Sequence, residues 1–304
     1  MAFRNPKRRR KARRVAKLRD IGKAVNDLAA VAPDAAVKVL MRSFVYPQRR
    51  VPTDEQGAVL AGAEQLRMPF GRTALQVYRW RGDGSAPTVL LLHDWEQHSG
   101  YFAEYVPALT DKGCTVVALD APASGLSGGR RLSLREYINA LHGLRARLGG
   151  FDSAVGHGLG AAALLQAAAQ WPAAQRPGRI AALGVYANSR DLFKRRLSEL
   201  DVDPLVHDKF WRKLGRTRDV PLSAYDNTQA VARLGEVEGL LLHDAQDARY
   251  PLADAEALAE AWPSAELTVL EGFGHKLRGR DVVARVLPFV SARKLTGVAA
   301  AAAA

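Results

Sequence analysis

Three short stretches carry the residue types that move protons in acyl chemistry. Val155-Gly156-His157-Gly158-Leu159-Gly160-Ala161 lies between an apolar run and an alanine-rich one, His243-Asp244-Ala245-Gln246-Asp247 follows a second apolar run, and His275 comes after Gly272-Phe273-Gly274. A carboxylate beside an imidazole holds it in one tautomer and stabilises its protonated form, so that it serves as general base and then acid. Asp247 and His275 suit those roles, with Asp244 and Asp191 as reserve acids. A nucleophilic serine sits in a Gly-x-Ser-x-Gly turn between strand and helix, where crowding demands small flanking residues. Gly156 and Gly160 meet that demand, and the order of nucleophile, acid and histidine along the chain also fits, but Gly158 stands where the serine belongs.

Glycine offers no nucleophilic atom, so no covalent intermediate can form at residue 158. A triad lacking one member keeps roughly 10³ to 10⁴ over water from binding and the oxyanion hole. The same turn satisfies a dinucleotide fingerprint, Gly156-x-Gly158-x-x-Ala161. That fingerprint opens the first strand-helix-strand unit and needs an acid about twenty residues on. Two strand-helix units precede this turn, and Pro177 to Asn188 holds no acidic residue.

The elements that must position these residues alternate strand and helix, which argues for a mostly parallel sheet covered on both faces. Gln65 to Pro69 and Thr73 to Trp80 read as opening strands joined at Gly71; Thr88 to Leu92, Thr115 to Leu119, Ser153 to Val155, Ile180 to Tyr186, Gly239 to His243 and Glu266 to Leu270 read as further strands. Helices are expected over Tyr101 to Lys112, Leu134 to Leu148, Leu159 to Gln170, Ala253 to Trp262 and Val282 to Phe289. The expected division is a basic arm over 1–20, a leader helix within 21–50, a core over 51–187 and 231–295, a helical lid over 188–230 and an alanine-rich tail over 296–304. Phe193, Phe210 and Trp211 in the lid are expected to wall an apolar pocket.

From about residue 40 to 295 the chain resembles the α/β-hydrolase superfamily, specifically bacterial esterase, lipase and serine-aminopeptidase-like hydrolases. The resemblance rests on Leu90-Leu91-Leu92-His93-Asp94-Trp95, on Leu119 to Gly129, on the glycine turn, on His243 to Pro251 and on Gly274-His275. It implies an α/β-hydrolase fold and a Ser-Asp-His triad acting on esters, amides or related acyl compounds, with an oxyanion hole and a lid. Carried over by position, the hole's donors are the backbone N–H groups of Trp95 and Leu159. Three positions depart from the pattern: Asp94 where glycine follows the histidine, Ser124 where histidine is usual, and Gly158. A carboxylate at 94 has the wrong sign beside a developing oxyanion. Asp94, Ser124 and His157 are candidates to line a repurposed ligand pocket.

The resulting expectation is a pseudohydrolase that keeps an Asp247-His275 dyad and binds a small acyl or ester-like ligand. The alternatives are a hydrolase in which His275 activates water in the space left by the serine, an engineered Ser-to-Gly knockout of a serine hydrolase, and a phosphate-seeking interaction protein. The knockout would have changed residue 158 alone, whereas Asp94 and Ser124 depart as well. No His, Cys and carboxylate cluster has metal-ligand spacing along the chain, so neither metal nor cofactor is expected.

Composition bounds the class. The chain has 304 residues, 48% hydrophobic and 25% charged, enough for one large α/β domain, and no apolar run is long enough to span a bilayer. Cys114 is the only cysteine, and no secretory leader is evident, so a reducing, cytoplasmic setting is expected. The net charge of +13 is concentrated: residues 4–19 hold ten lysines and arginines, and Asp20 follows them. Such a run self-repels when isolated and can grip phosphates of nucleic acid or anionic lipid. Deleting the arm is expected to abolish any salt-sensitive binding to DNA or anionic vesicles in a titration from low to high salt; binding that survives the deletion contradicts a role for it.

Overall fold

A computed structural model describes residues 6–216 and 222–292, with side chains over 18–216 and 224–292. The elements run in the order α1 (Pro6–Val31), α2 (Pro33–Ser43), α3 (Asp54–Ala61), β1 (Glu64–Phe70), β2 (Thr73–Trp80), β3 (Thr88–Leu92), α4 (Tyr105–Thr110), β4 (Thr115–Leu119), α5 (Leu134–Leu148), β5 (Ser153–His157), α6 (Leu159–Gln170) and β6 (Arg179–Leu183). They continue with α7 (Ser189–Glu199), α8 (Pro204–Arg216), α9 (Asn227–Ala232), β7 (Glu238–Asp244), α10 (Leu252–Ala261), β8 (Ala265–Leu270) and α11 (Arg280–Ser291).

The eight strands form one sheet in the order β1-β2-β4-β3-β5-β6-β7-β8. β2 pairs antiparallel with β1 and β4, and every other pair is parallel. Parallel strands buried on both faces need unbroken apolar runs, which Val89 to Leu92 and Val116 to Leu119 supply with exposures of 0–2%. One face packs on α5, α6 and α10 through residues such as Leu141, Leu164 and Leu258; the other packs on α4 and α11 through Leu109 and Val286. The chain passes from β3 outward to β4 and returns to β5 on β3's other side. That reversal opens a crevice at the carboxyl ends of β3 and β5, where such sheets place ligand sites.

The structure departs from the expected elements at the amino end. From residue 6 the basic segment continues without a break into the leader as one helix, α1, and Pro33 starts a second helix, as proline does at a first turn. The side chains of residues 1–17 lie outside those described, as does the structure of 293–304, which contains the alanine tail. Helix α3 was not among the expected elements, although Thr53 and Gln56 form a complete capping box at its start.

Phe193 and Phe210, two of the three aromatic residues expected to wall a pocket, do line one together with Phe44 and Tyr225, but Gly158 and His275 are not among its lining residues. Phe210 is fully buried, and Phe193 and Phe210 pack against Phe44 at centroid distances of 4.9 and 5.6 Å. With Leu18, Val25, Val37, Leu40, Leu197 and Leu200 they form a satellite core that clamps α1 and α2 to α7 and α8. Leu18 belongs to that core, so a truncation meant to remove only the arm must stop before it. Where α1 crosses the end of α7, Gly22 lies so close that an added Cβ would collide with the Leu200 carbonyl. Gly22→Ala is therefore expected to cost about 1–3 kcal/mol in a denaturant melt, against the slight gain that alanine brings to an open helix position.

Candidate functional site

Four loops at the carboxyl ends of β3, β5, β7 and β8 converge on Gly158. The turn is as tight as its sequence implies. A Cβ at Gly156 would meet the Ala161 backbone, and one at Gly160 would meet the Leu92 and His93 carbonyls. Gly158 has φ 53° and ψ −116°, a conformation that glycine holds without strain. It also caps α6, so the helix presents its first free N–H groups and its positive end to whatever sits above residue 158.

What sits there is Asp94. Its Oδ1 accepts the Leu159 N–H at 2.8 Å, and its Oδ2 lies 3.1 Å from His275 Nε2 and 2.7 Å from Arg249 Nη1. A Cβ built on Gly158 would collide with the Asp94 carboxyl group. The carboxylate thus fills the volume a nucleophilic side chain would use and takes the N–H that would serve an oxyanion. The negative sign of residue 94, expected to be unfavourable, suits its place at the N-terminus of α6, where the helix favours an anion.

The acid-histidine pair forms as expected. His275 Nδ1 lies 2.8 Å from Asp247 Oδ2, while Asp247 Oδ1 accepts the N–H groups of Arg249 and Tyr250 at 2.7 and 3.2 Å. Asp244 accepts from Gln246 N–H and Phe273 N–H and so ties the β7 and β8 loops together. Asp191 sits on the half-exposed first turn of α7, paired with Lys194. The structure therefore makes Asp247, not either reserve acid, the partner of His275.

His157 also enters the site. Its Nε2 meets the His275 carbonyl oxygen at 2.8 Å, its ring stacks on Tyr101 at 4.6 Å, and its Nδ1 is buried with no partner. Ser124 is buried in the loop after β4 with its hydroxyl unpartnered, and none of its described bonds reaches His275 or Asp94. Trp95 packs partly buried against the core beside α5 and α6. The loop bearing Asp94 is held from behind by His93: its Nε2 accepts the Ala121 N–H at 2.9 Å, so Nδ1 carries the proton that it gives to the Asp94 carbonyl at 2.8 Å.

Charge states follow from these contacts. Burial pushes the Asp94 carboxyl up, but the Arg249 charge and the His275 bond outweigh it and hold the group well below the usual carboxylate range. Burial alone would lower His275; its bonds to Asp247 and Asp94 turn the balance and raise it. Burial lowers His157 to about 4, leaving it neutral at pH 7. Asp94, Asp247, Arg249 and a protonated His275 form a charge-balanced cluster.

Arg249 had no role in the sequence reading, although a buried carboxylate at 94 implied a counter-charge and this arginine stands two residues after the catalytic-type acid. The proximity of Asp94, His157 and His275 was also missed, since their spacing along the chain has no metal-ligand pattern. One ligand-type atom from each lies within 4.8 Å of the others.

A sheet of this order with an acid, a histidine and a glycine elbow at its carboxyl edge defines an α/β-hydrolase architecture. The sequence profile of the alpha/beta hydrolase family matches residues 89–286, and the chain belongs to that family. Similar solved structures include an esterase from Pyrococcus furiosus, 16% identical with a TM-score of 0.60 over 81% of this chain and 96% of that one. An enol-lactonase from Burkholderia xenovorans is 17% identical, with a TM-score of 0.56 over 74% of this chain and 99% of that one. The thioesterase domain from the curacin biosynthetic pathway is 16% identical, with a TM-score of 0.55 over 75% and 98%. These likenesses are likenesses of fold. No curated protein matches the chain in sequence. Among the described residues no helix is long and apolar enough to cross a membrane.

Proposed function

We propose that this chain is a pseudohydrolase, a member of the family whose acyl-transfer site is closed by its own carboxylate and whose remaining role is to bind a ligand. The observation that carries the reading is the double occupancy by Asp94: its carboxylate takes both the volume of the missing serine side chain and the Leu159 N–H of the oxyanion hole. Covalent catalysis needs a nucleophile at 158, and electrostatic catalysis needs a hole open to substrate. Both requirements fail through the same pair of residues. Replacement of glycine by aspartate at 94 and of serine by glycine at 158 is a matched exchange of side-chain volume across one contact, and a knockout at residue 158 alone does not account for it.

Activation of water by His275 is disfavoured on the same ground. The imidazole is sandwiched between Asp247 and Asp94, so Nε2 faces a carboxylate where a hydrolytic water would have to sit. The ligand class that the family likeness favours is a small acyl or ester-like molecule, and the buried free thiol of Cys114 suits a reducing, cytoplasmic setting.

The test is a pair of variants probed with a fluorophosphonate and a p-nitrophenyl ester. The unmodified chain and Gly158→Ser alone are expected to show neither labelling nor turnover, because a side chain at 158 collides with Asp94. Gly158→Ser combined with Asp94→Gly is expected to be labelled at the introduced serine and to gain at least 10²-fold in ester turnover, toward the roughly 10² to 10³ that one oxyanion donor contributes. Labelling of the unmodified chain, or activity in the single variant equal to that of the double, contradicts the reading.

A further inference from the structure

Asp94 follows β3, His157 ends β5 and His275 follows β8, and each offers a donor atom within 4.8 Å of the other two. The hydrogen bonds around them settle which atoms are free. His157 Nε2 faces a carbonyl oxygen, which can only accept, so that nitrogen carries the ring proton and Nδ1 keeps its lone pair. That Nδ1 is buried in a residue only 2% exposed and has no hydrogen-bond partner, a costly arrangement for which the serine-hydrolase scheme gives no reason. His275 gives its Nδ1 proton to Asp247, the outer-sphere carboxylate that orients metal-ligating histidines and raises their basicity. Its Nε2 then points at Asp94 Oδ2 from 3.1 Å.

We propose that Asp94, His157 and His275 form a binding site for a divalent transition-metal ion, with Asp94 Oδ2, His157 Nδ1 and His275 Nε2 as ligands and Asp247 in support. The proposal goes beyond the closed-site reading and rests on the one part of it that puts Asp94 over the elbow. Tetrahedral donors at about 2.0–2.1 Å from zinc lie roughly 3.4 Å apart, so a cluster already within 4.8 Å needs only a modest contraction. Two imidazoles and one carboxylate suit zinc, iron or cobalt and leave coordination positions open. An ion displaces the proton shared between His275 Nε2 and Asp94. The cluster then holds a divalent cation and Arg249 against two carboxylates, one positive charge in excess, so the open position favours an anionic ligand such as a carboxylate. Arg249 Nη1, 2.7 Å from Asp94 Oδ2, stands beside that position.

The test uses the full chain stripped of metal with a chelator and titrated with Co²⁺ and then Zn²⁺. Visible absorption is expected to report one equivalent of cobalt in a low-symmetry site, displaced by zinc. In the ¹⁵N-histidine spectrum, zinc is expected to shift His157 Nδ1 and His275 Nε2 and to leave His142 and His207 in place. Asp94→Asn and His157→Gln should each weaken zinc binding at least tenfold, and Asp247→Asn by about 10- to 100-fold; His207→Gln should change nothing. The spectrum of the unmodified chain decides the matter even if a variant fails to fold. Failure to bind either ion at stoichiometric ratio, or binding that leaves the His157 and His275 signals unmoved, overturns the proposal. Neither result bears on fluorophosphonate labelling of the serine-bearing double variant, so the two readings fail separately.

Discussion

One carboxylate organises this site. Asp94 is buried to 2% exposure, and a charge so placed survives only with partners on every side. It finds them in the Leu159 N–H at the start of α6, the His275 imidazole and the Arg249 guanidinium. Each partner belongs to a different loop, so the ion cluster is also the clasp that closes the carboxyl edge of the sheet over β3, β5, β7 and β8. A hydrolase elbow leaves this space to substrate; here the protein supplies the anion itself.

The fold makes that substitution possible. The turn through Gly158 is close-packed, and the helix behind it directs its positive end outward whether or not a serine is present. Glycine at 158 leaves a volume beside the free N–H groups of the helix, and the Asp94 carboxylate fills it. Asparagine there would satisfy the Leu159 N–H yet leave Arg249 without its paired carboxylate and His275 with Asp247 alone. Helices α7 and α8 contribute no side chain to this cluster among the described contacts; Phe193 and Phe210 pack with residues of α1 and α2 instead.

Much of this was legible in the sequence because burial on both faces of a parallel sheet writes itself as unbroken apolar runs. Thr88–Leu92, Thr115–Leu119, Leu134–Leu148 and Leu159–Gln170 appear with the bounds the sequence implied. Position and chain order likewise singled out Asp247 and His275, which the structure places 2.8 Å apart. Contacts between distant loops were not legible. Nothing in local spacing tells that Asp94 reaches over the elbow, that Arg249 turns inward to meet it, or that His157, close to both Asp94 and His275, carries a buried nitrogen without a partner. The place of the pocket that Phe193 and Phe210 line was hidden for a related reason: apolar side chains on a helix announce burial without naming the surface they bury against.

Direct interaction of Asp94 with His275 across the vacated nucleophile position is the contact on which all of this depends. A double-mutant cycle with Asp94→Ala, His275→Ala and the pair, read by denaturant unfolding in the presence of a chelator, measures it. The expected coupling energy is about 0.5–3 kcal/mol, the range for residues within one buried network. Effects that add to within about 0.3–0.5 kcal/mol, as for residues that do not touch, would contradict that interaction.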